Sequence, residues 1–201
     1  MSELQLKSRV RVKKYRAYSD HVGQVAVVPN VLERQFHAKR PNEKWVSEVT
    51  EFNVGGQKLF LSSILDLYNG EIVAYKTARR PLFGMINAMI DSAFTRLGPN
   101  DKPILHSDQG WQYRMPVYRA ALQQRAITQS MSRKGNCLDN AVIESFFGTL
   151  KSEFYYVTRF RSLDELKAGI RRYIHYYNHN RIKLKLGGLS PVTYRVRLAA
   201  G

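Results

Sequence analysis

Three acids in the middle of the chain have the type and spacing for chemistry at phosphorus. Residues 45–150 hold nine acidic side chains. Glu48 lies in a strand-like run, Asp108 just past a short apolar run, and Glu144 in a helical stretch. Thirty-five residues separate Asp108 from Glu144. Carboxylates are hard oxygen ligands that suit Mg²⁺ or Mn²⁺. Two such ions about 3.5–4 Å apart activate an attacking oxygen and stabilise the leaving oxygen of a phosphodiester. The ions repel one another, so several carboxylates must converge. Taken singly, each acid also has an ordinary role: Glu144 on a solvated helix face, Asp108 in a turn ahead of Gly110.

The elements that must position these acids follow from periodicity. Trp45–Phe52 reads as a strand, with a turn at Gly55-Gly56. Lys58–Leu67 is a second strand, Asn69-Gly70 a hairpin signal, and Glu71–Ala78 a third strand. The period then changes. Phe83–Leu97 carries Ile86, Met89, Ile90 and Phe94 on one helical face. Pro103–His106 and Ile127–Met131 are short strands flanking a helix over Trp111–Gln124, and Asp139–Glu153 is a further helix. On a wheel of about 100° per residue, Asn140, Glu144 and Lys151 fall within about 40° of one another, beside the apolar stripe of Ile143, Phe146, Phe147 and Leu150. A last helix starts near Leu163 behind a Ser162/Glu165 capping box, and Pro191 lies beyond it. A meander followed by strand–helix alternation predicts an α/β fold: a mixed five-stranded sheet, three antiparallel strands then two parallel, with helices on both faces.

Composition narrows the partners. The chain has 201 residues, 44% of them hydrophobic, which is enough to bury a core and excludes wholesale disorder. Its net charge is +16, distributed as +6 over residues 1–44, +2 over 45–150 and +8 over 151–201. Basic arms around a nearly neutral middle fit a polyanion, and phosphate neutralisation with counterion release is the sequence-independent part of nucleic-acid affinity. The three-part division expected is a basic arm or linker at 1–40, a catalytic core at 41–160 and a helical basic extension at 161–201. With Cys137 as the one cysteine, an intramolecular disulfide and a Cys-based zinc cluster are excluded. No apolar run has the length of a membrane span and no apolar leader opens the chain, so a membrane partner is not expected.

Other residues have two readings each. His106, two residues before Asp108, faces the same way on an extended strand and either orients a metal-bound water or simply packs. Arg133 and Lys134, just ahead of the helix carrying Glu144, are candidate DNA contacts, in a loop (130–136) expected to order when DNA or metal arrives. His175 and His179 are four apart on a helix but lack a third ligand at suitable spacing. Phe154, Tyr155, Tyr156, Tyr173, Tyr176 and Tyr177 either stack on bases or fill the packing of the last helix.

The blocks around the acids carry a family resemblance. Ile104-Leu105-His106-Ser107-Asp108-Gln109-Gly110-Trp111-Gln112-Tyr113 and the run from Ser130 through Asn136-Cys137-Leu138-Asp139-Asn140-Ala141 to Glu153 resemble the OrfB-type transposases of bacterial insertion sequences, whose core is like that of retroviral integrases. Trp45-Val46 with Val49-Thr50, Ile64-Leu65-Asp66-Leu67-Tyr68 and Tyr177-Asn178…Arg181…Leu189-Ser190-Pro191 look like the same family. The resemblance covers about residues 30–195.

The resemblance implies an RNase H-like fold and a DDE triad holding two Mg²⁺ (or Mn²⁺) ions. It also implies DNA cleavage by water, followed by joining of the freed 3′-OH to another phosphodiester. Asp108 and Glu144 match the second and third triad acids. Lys151, seven places after Glu144, matches a contact to transposon-end DNA, with Asn140 beside it. Asp66 matches a family acid of auxiliary role, or is a strand-end turn residue. The first triad position departs from the pattern: Glu48 stands where the family has Asp. One extra methylene shifts the carboxylate by roughly 1 Å, a misplacement that costs about 10²-fold in rate. A disabled or decayed site, a tolerated variant and a changed metal preference all account for it. The alternative function is therefore a catalytically impaired DNA-binding and assembly relative, and an RNase H-type nuclease without joining is a third reading. The implied partners are insertion-sequence terminal repeats and target DNA, a homo-oligomer on DNA, and an upstream helix-turn-helix protein. The implied location is the bacterial cytoplasm, in association with the nucleoid.

Overall fold

The computed structural model describes residues 28–133 and 135–199. Three strands form the expected meander: β1 (Lys44–Val54), β2 (Gln57–Asp66) and β3 (Ile72–Ala78). Helix α1 (Phe83–Phe94), β4 (Ile104–Ser107), α2 (Trp111–Arg114), α3 (Pro116–Gln124) and β5 (Thr128–Met131) follow. A 3₁₀ turn over Cys137–Asn140 leads into α4 (Ala141–Leu150), which runs on as one wide π turn over Lys151–Tyr155. Then come α5 (Leu163–His179) and α6 (Pro191–Ala199).

The sheet order is β3-β2-β1-β4-β5. The β1/β2 and β2/β3 pairs are antiparallel, and β1/β4 and β4/β5 are parallel. The expected mixed sheet is therefore present. Helices cover both faces. Val46, Leu61 and Leu65 pack with Ile143, Phe147, Leu150, Leu166 and Ile170 on the face covered by α4 and α5. Trp45, Ile64 and Leu105 pack with Ile86, Met89, Ile90, Tyr118 and Leu122 on the face covered by α1 and α3. Burial on both faces explains why alternation along β2 is weak: its last six residues are all buried.

Several elements differ from the sequence reading. The helix expected over Trp111–Gln124 breaks at Met115, which is extended (φ −64°, ψ 138°) because Pro116 opens α3. Asp139 and Asn140 belong to the 3₁₀ turn, so α4 starts later than expected. Pro191 opens α6 rather than marking a stop, as proline's fixed φ allows at a first helical position. The Ser162 cap is present, its hydroxyl accepting from the Glu165 N–H at 3.1 Å, while the Glu165 carboxylate accepts from Arg161 N–H at 2.7 Å.

Residues 29–34, read from sequence as part of a basic arm, are fastened to the core. Ser130 Oγ accepts from the N–H groups of Val31 and Leu32 at 2.9 and 3.0 Å, Met131 N–H donates to Pro29 O, and Leu32 is fully buried. The basic stretch before residue 28 lies outside the described residues.

The C-terminal elements are tied in by buried charge. Asp66 is fully buried and accepts from Asn42 N–H and Tyr68 N–H, and from Arg195 of α6. Arg195 also reaches the buried Glu71 at 3.2 Å, and Arg96 donates to Glu71 at 2.6 Å. Lys183 donates to Tyr177 Oη at 2.7 Å and to Gly70 O at 3.2 Å, at a turn where Gly70 takes φ +71°. Removing one partner of a buried ion pair leaves an uncompensated buried charge. Arg195→Met is therefore expected to lower unfolding free energy by about 3 kcal/mol, measured by urea denaturation. A change under about 0.5 kcal/mol, the size of an ordinary surface substitution, would show that α6 is not held this way.

Candidate functional site

The site is built at the junction of β1 and β4. The parallel register pairs Lys44 with Ile104 through to Ser47 with Ser107. Glu48, within β1, and Asp108, just past the end of β4, are the next residues along from the Ser47/Ser107 pair. Side chains alternate between faces. Glu48 shares a face with Val46, which packs under α4. Asn140, at the entry to α4, is buried, and its Nδ2 lies 3.3 Å from Ser47 O and 3.4 Å from Glu48 Oε2. The fold thus brings Glu48 and Asn140 together.

Asp108 is held by a local turn. Its Oδ1 accepts from Gly110 N–H at 2.9 Å. A Cβ at Gly110 would stand 2.9 Å from that oxygen and 2.5 Å from Gln112 Nε2, so glycine is required by close approach. Both sequence readings of Asp108 are therefore compatible, since a turn oxygen leaves its neighbour free for other use. Burial pushes the Asp108 carboxyl above its ordinary range; the Gly110 N–H opposes this and the charge of Glu144 adds to it. Glu144, half-buried on the first turn of α4, is thus an electrostatic neighbour of Asp108. Below them Tyr113 is fully buried, its hydroxyl 3.1 Å from Ser47 Oγ. Burial raises its ionisation above the usual phenol range, with Asp108 and Glu48 adding to the effect.

Whether these residues suit divalent ions can be tested on their donor set. The candidates are carboxylate oxygens plus Asn140 Oδ1, a buried acceptor with no hydrogen-bond partner. Hard cations take such oxygens, and a cation would offset the charge that Glu144 brings to bear on Asp108. The donor chemistry fits. Among the described residues no group of three His, Cys, Asp or Glu side chains is gathered closely enough to hold an ion by itself.

The remaining candidates sort differently. Lys151 begins the π turn, with its Nζ 5.3 Å from the centre of the Phe52 ring. Arg133 is committed to Asp139: its Nε and Nη2 donate to that carboxylate at 3.0 Å each, and its backbone N–H does so as well. Lys134 lies outside the described residues. Asp66 is not part of the cluster. It pairs with Trp45, three residues before Glu48, about 10 Å along the strand, and its carboxylate serves Asn42, Tyr68 and Arg195. His106 is a packed histidine. Its Nδ1 meets Ser130 Oγ at 2.8 Å and its Nε2 meets Ser132 Oγ at 3.1 Å, so neither nitrogen is left to orient a water. His175 and His179 stack on each other, 4.4 Å between centroids. Phe154, Tyr155, Tyr173 and Tyr177 pack among themselves and with Phe52, Phe146 and Phe160, so packing accounts for them.

Sequence reasoning missed Asp139 as a hub. It is fully buried and also accepts from Arg34 Nε at 2.7 Å and Asn30 Nδ2 at 3.0 Å. Glu33 and Arg34 take φ of 47° and 61°, a left-handed bend that side chains resist, and the Arg34 ion pair holds it. Asp139 immediately precedes Asn140, so this clasp fixes the start of the helix that carries Glu144.

An integrase core domain pattern matches residues 38–137, and a second one matches residues 144–197. The protein assigned as transposase InsK of insertion sequence element IS150 in Escherichia coli K12 is 56% identical over 195 residues, covering 97% of this chain and 68% of its own length. A transposase-like protein of Haemophilus influenzae Rd is 53% identical over 197 residues, covering 98% of this chain and 90% of its own. The chain belongs to the insertion-sequence transposases with an integrase core. The structure of this transposase is similar to the HTLV-2 integrase catalytic core domain solved with magnesium, with TM-score 0.59 at 15% identity over 78% of this chain and 98% of that one. It is similar also to the catalytic core of BIV integrase, with TM-score 0.60 at 15% identity over 79% and 97%. At that identity the likeness is one of fold. Among the described residues of the transposase no helix is long and apolar enough to cross a membrane.

The buried histidine gives the transposase a measurable pH signature. Burial lowers the His106 pKa to about 4 from 6.5. Between those values the unfolded chain binds the extra proton, so stability is full above about pH 6.5 and declines as pH falls toward 4. Urea unfolding from pH 7 to pH 4.5 is expected to show this decline, and His106→Gln to flatten it. An equal slope in both proteins would mean that His106 is not buried neutral.

Proposed function

We propose that this chain cleaves and joins DNA strands at insertion-sequence ends, with Glu48, Asp108 and Glu144 as the acids that hold two Mg²⁺ or Mn²⁺ ions. The observation that carries this reading is the β1/β4 register, which sets Glu48 and Asp108 side by side while α4 brings the charge of Glu144 onto Asp108. Divalent ions bound there would activate the attacking oxygen and stabilise the leaving oxygen at phosphorus. The chain's own residues do the rest. Gly110 N–H orients one Asp108 oxygen, and Asn140 restrains the Glu48 carboxylate. The Asp139 clasp holds the start of α4 so that Glu144 keeps its place. Lys151, two helical turns beyond Glu144, is the cation for a phosphate of end DNA. DNA is thus the substrate, and joining two ends calls for more than one copy on the DNA.

Strand cleavage and joining on a labelled duplex carrying the element's ends, in Mg²⁺ and then Mn²⁺, tests this. The protein is expected to act, and Glu144→Gln to fall by at least about 10³-fold, as for removal of a charge made for the transition state. Glu48→Asp is expected to stay active, within about 10²-fold of the parent in either direction. Activity that survives Glu144→Gln would sink the assignment. Activity appearing only in Glu48→Asp would make the chain a DNA-binding assembly relative instead.

A further inference from the structure

Outside the acid cluster a groove of about 660 Å³ runs between the edge strand β3 and helix α5. Its α5 wall is a stripe of Lys167, Arg171, His175 and His179, spaced four residues apart and all exposed. Residues at i and i+4 share one helix face, so the four side chains line up along the groove. Lys76 adds a cation from the β3 wall, and Asp164 is the one carboxylate among the lining residues. Arg171 lies beside Tyr75, whose ionisation it opposes burial in setting. Among the described residues neither Lys167 nor Arg171 forms an ion pair, whereas Arg34, Arg96, Arg133, Arg181 and Arg195 each do. The fold thus uses those five arginines structurally and leaves the α5 stripe to solvent. At the far end Asn178 closes the strand edge, its amide exchanging hydrogen bonds with the N–H and C=O of Ile72 at 2.9 Å each.

We infer that this groove is a second DNA contact, a track for the phosphodiester backbone of duplex lying outside the acid cluster. The inference rests on the proposed DNA substrate. The stripe spans twelve residues, about 18 Å of helix, along which one strand of a duplex presents about five phosphates. Its chemistry is positioning without base readout: a row of cationic side chains along a concave wall, with Tyr75 set beside Arg171. The groove lies two strands from β1, about 10 Å across the sheet, on the side where α4 and α5 pack. A duplex engaged there is held by the same rigid layer that carries Glu144.

The test is DNA affinity by fluorescence anisotropy on a generic 30-base-pair duplex across a salt series. Lys167→Glu/Arg171→Glu is compared with Lys102→Glu/Arg125→Glu, which makes the same charge change at exposed positions elsewhere. The stripe variant is expected to bind at least about tenfold more weakly near 0.1 M salt, and its log–log salt slope to fall by about 2. The milder Lys167→Gln/Arg171→Gln variant should show the same change in slope, which guards against damage from charge reversal. Equal losses in the stripe and comparison variants would reduce the effect to overall charge and overturn the proposal. So would an unchanged slope, or a changed oligomeric state in the stripe variant, which would assign the groove to a second copy of the chain. Failure of the parent protein to bind DNA at any salt would instead remove the DNA reading itself.

Discussion

Two carboxylates placed side by side in partly buried surroundings repel one another, and that repulsion is what the fold has to contain. Glu144 on α4 bears electrostatically on Asp108 past the end of β4, and burial together with that charge pushes the Asp108 carboxyl upward. A surface pair would rotate apart. Here Asp108 is pinned by the Gly110 turn, and Glu144 rides on a helix whose start is clasped by Asp139. The sheet supplies the third side through the parallel register of β1 on β4. Each constraint is ordinary, but together they keep the charge of Glu144 acting on Asp108.

The other buried acids show what the chain does when charge is for stability. Asp139 meets two arginines, which hold its carboxyl well below the usual range despite burial. Asp66 and Glu71 share Arg195, and Glu71 also meets Arg96. These networks reach across the sequence, Arg34 and Asp139 lying 105 positions apart and Asp66 and Arg195 129. They fasten the entering segment and the last helix to one sheet. Ion pairing thus assigns Asp139, Asp66 and Glu71 to the scaffold.

Much of this was legible from residues. The hairpin at Asn69-Gly70, the change of period after β3, and the apolar stripes of α4 and α5 are local signals, and they led to the right sheet and layers. The break at Met115 was also legible, since a residue ahead of proline avoids the helical region, but the apolar spacing across it masked the signal. The pairings of Asp66 with Arg195 and of Asp139 with Arg34 were not, because these partners lie more than a hundred positions away and any surface arginine is an equal candidate beforehand. His106 illustrates the same limit: only the approach of Ser130 from β5 and of Ser132 just past it decided that it packs.

Glu48 is where local chemistry and fold meet. Its side chain has one more rotatable bond than the aspartate the family resemblance leads one to expect, so it reaches farther and loses more freedom on being fixed. The contact from Asn140 Nδ2 bears on this, because it restrains the carboxylate from the α4 side, while the Asn140 Oδ1 remains buried and unpartnered. A buried acceptor left unsatisfied is costly, and such groups persist where a ligand or water completes them. Asn140 is thus tied to Glu48 through its donor end, while its acceptor end is a buried oxygen among the residues proposed to hold a dication. Glu48 is then one half of a local pair, whose other half sits at the start of the helix that carries Glu144.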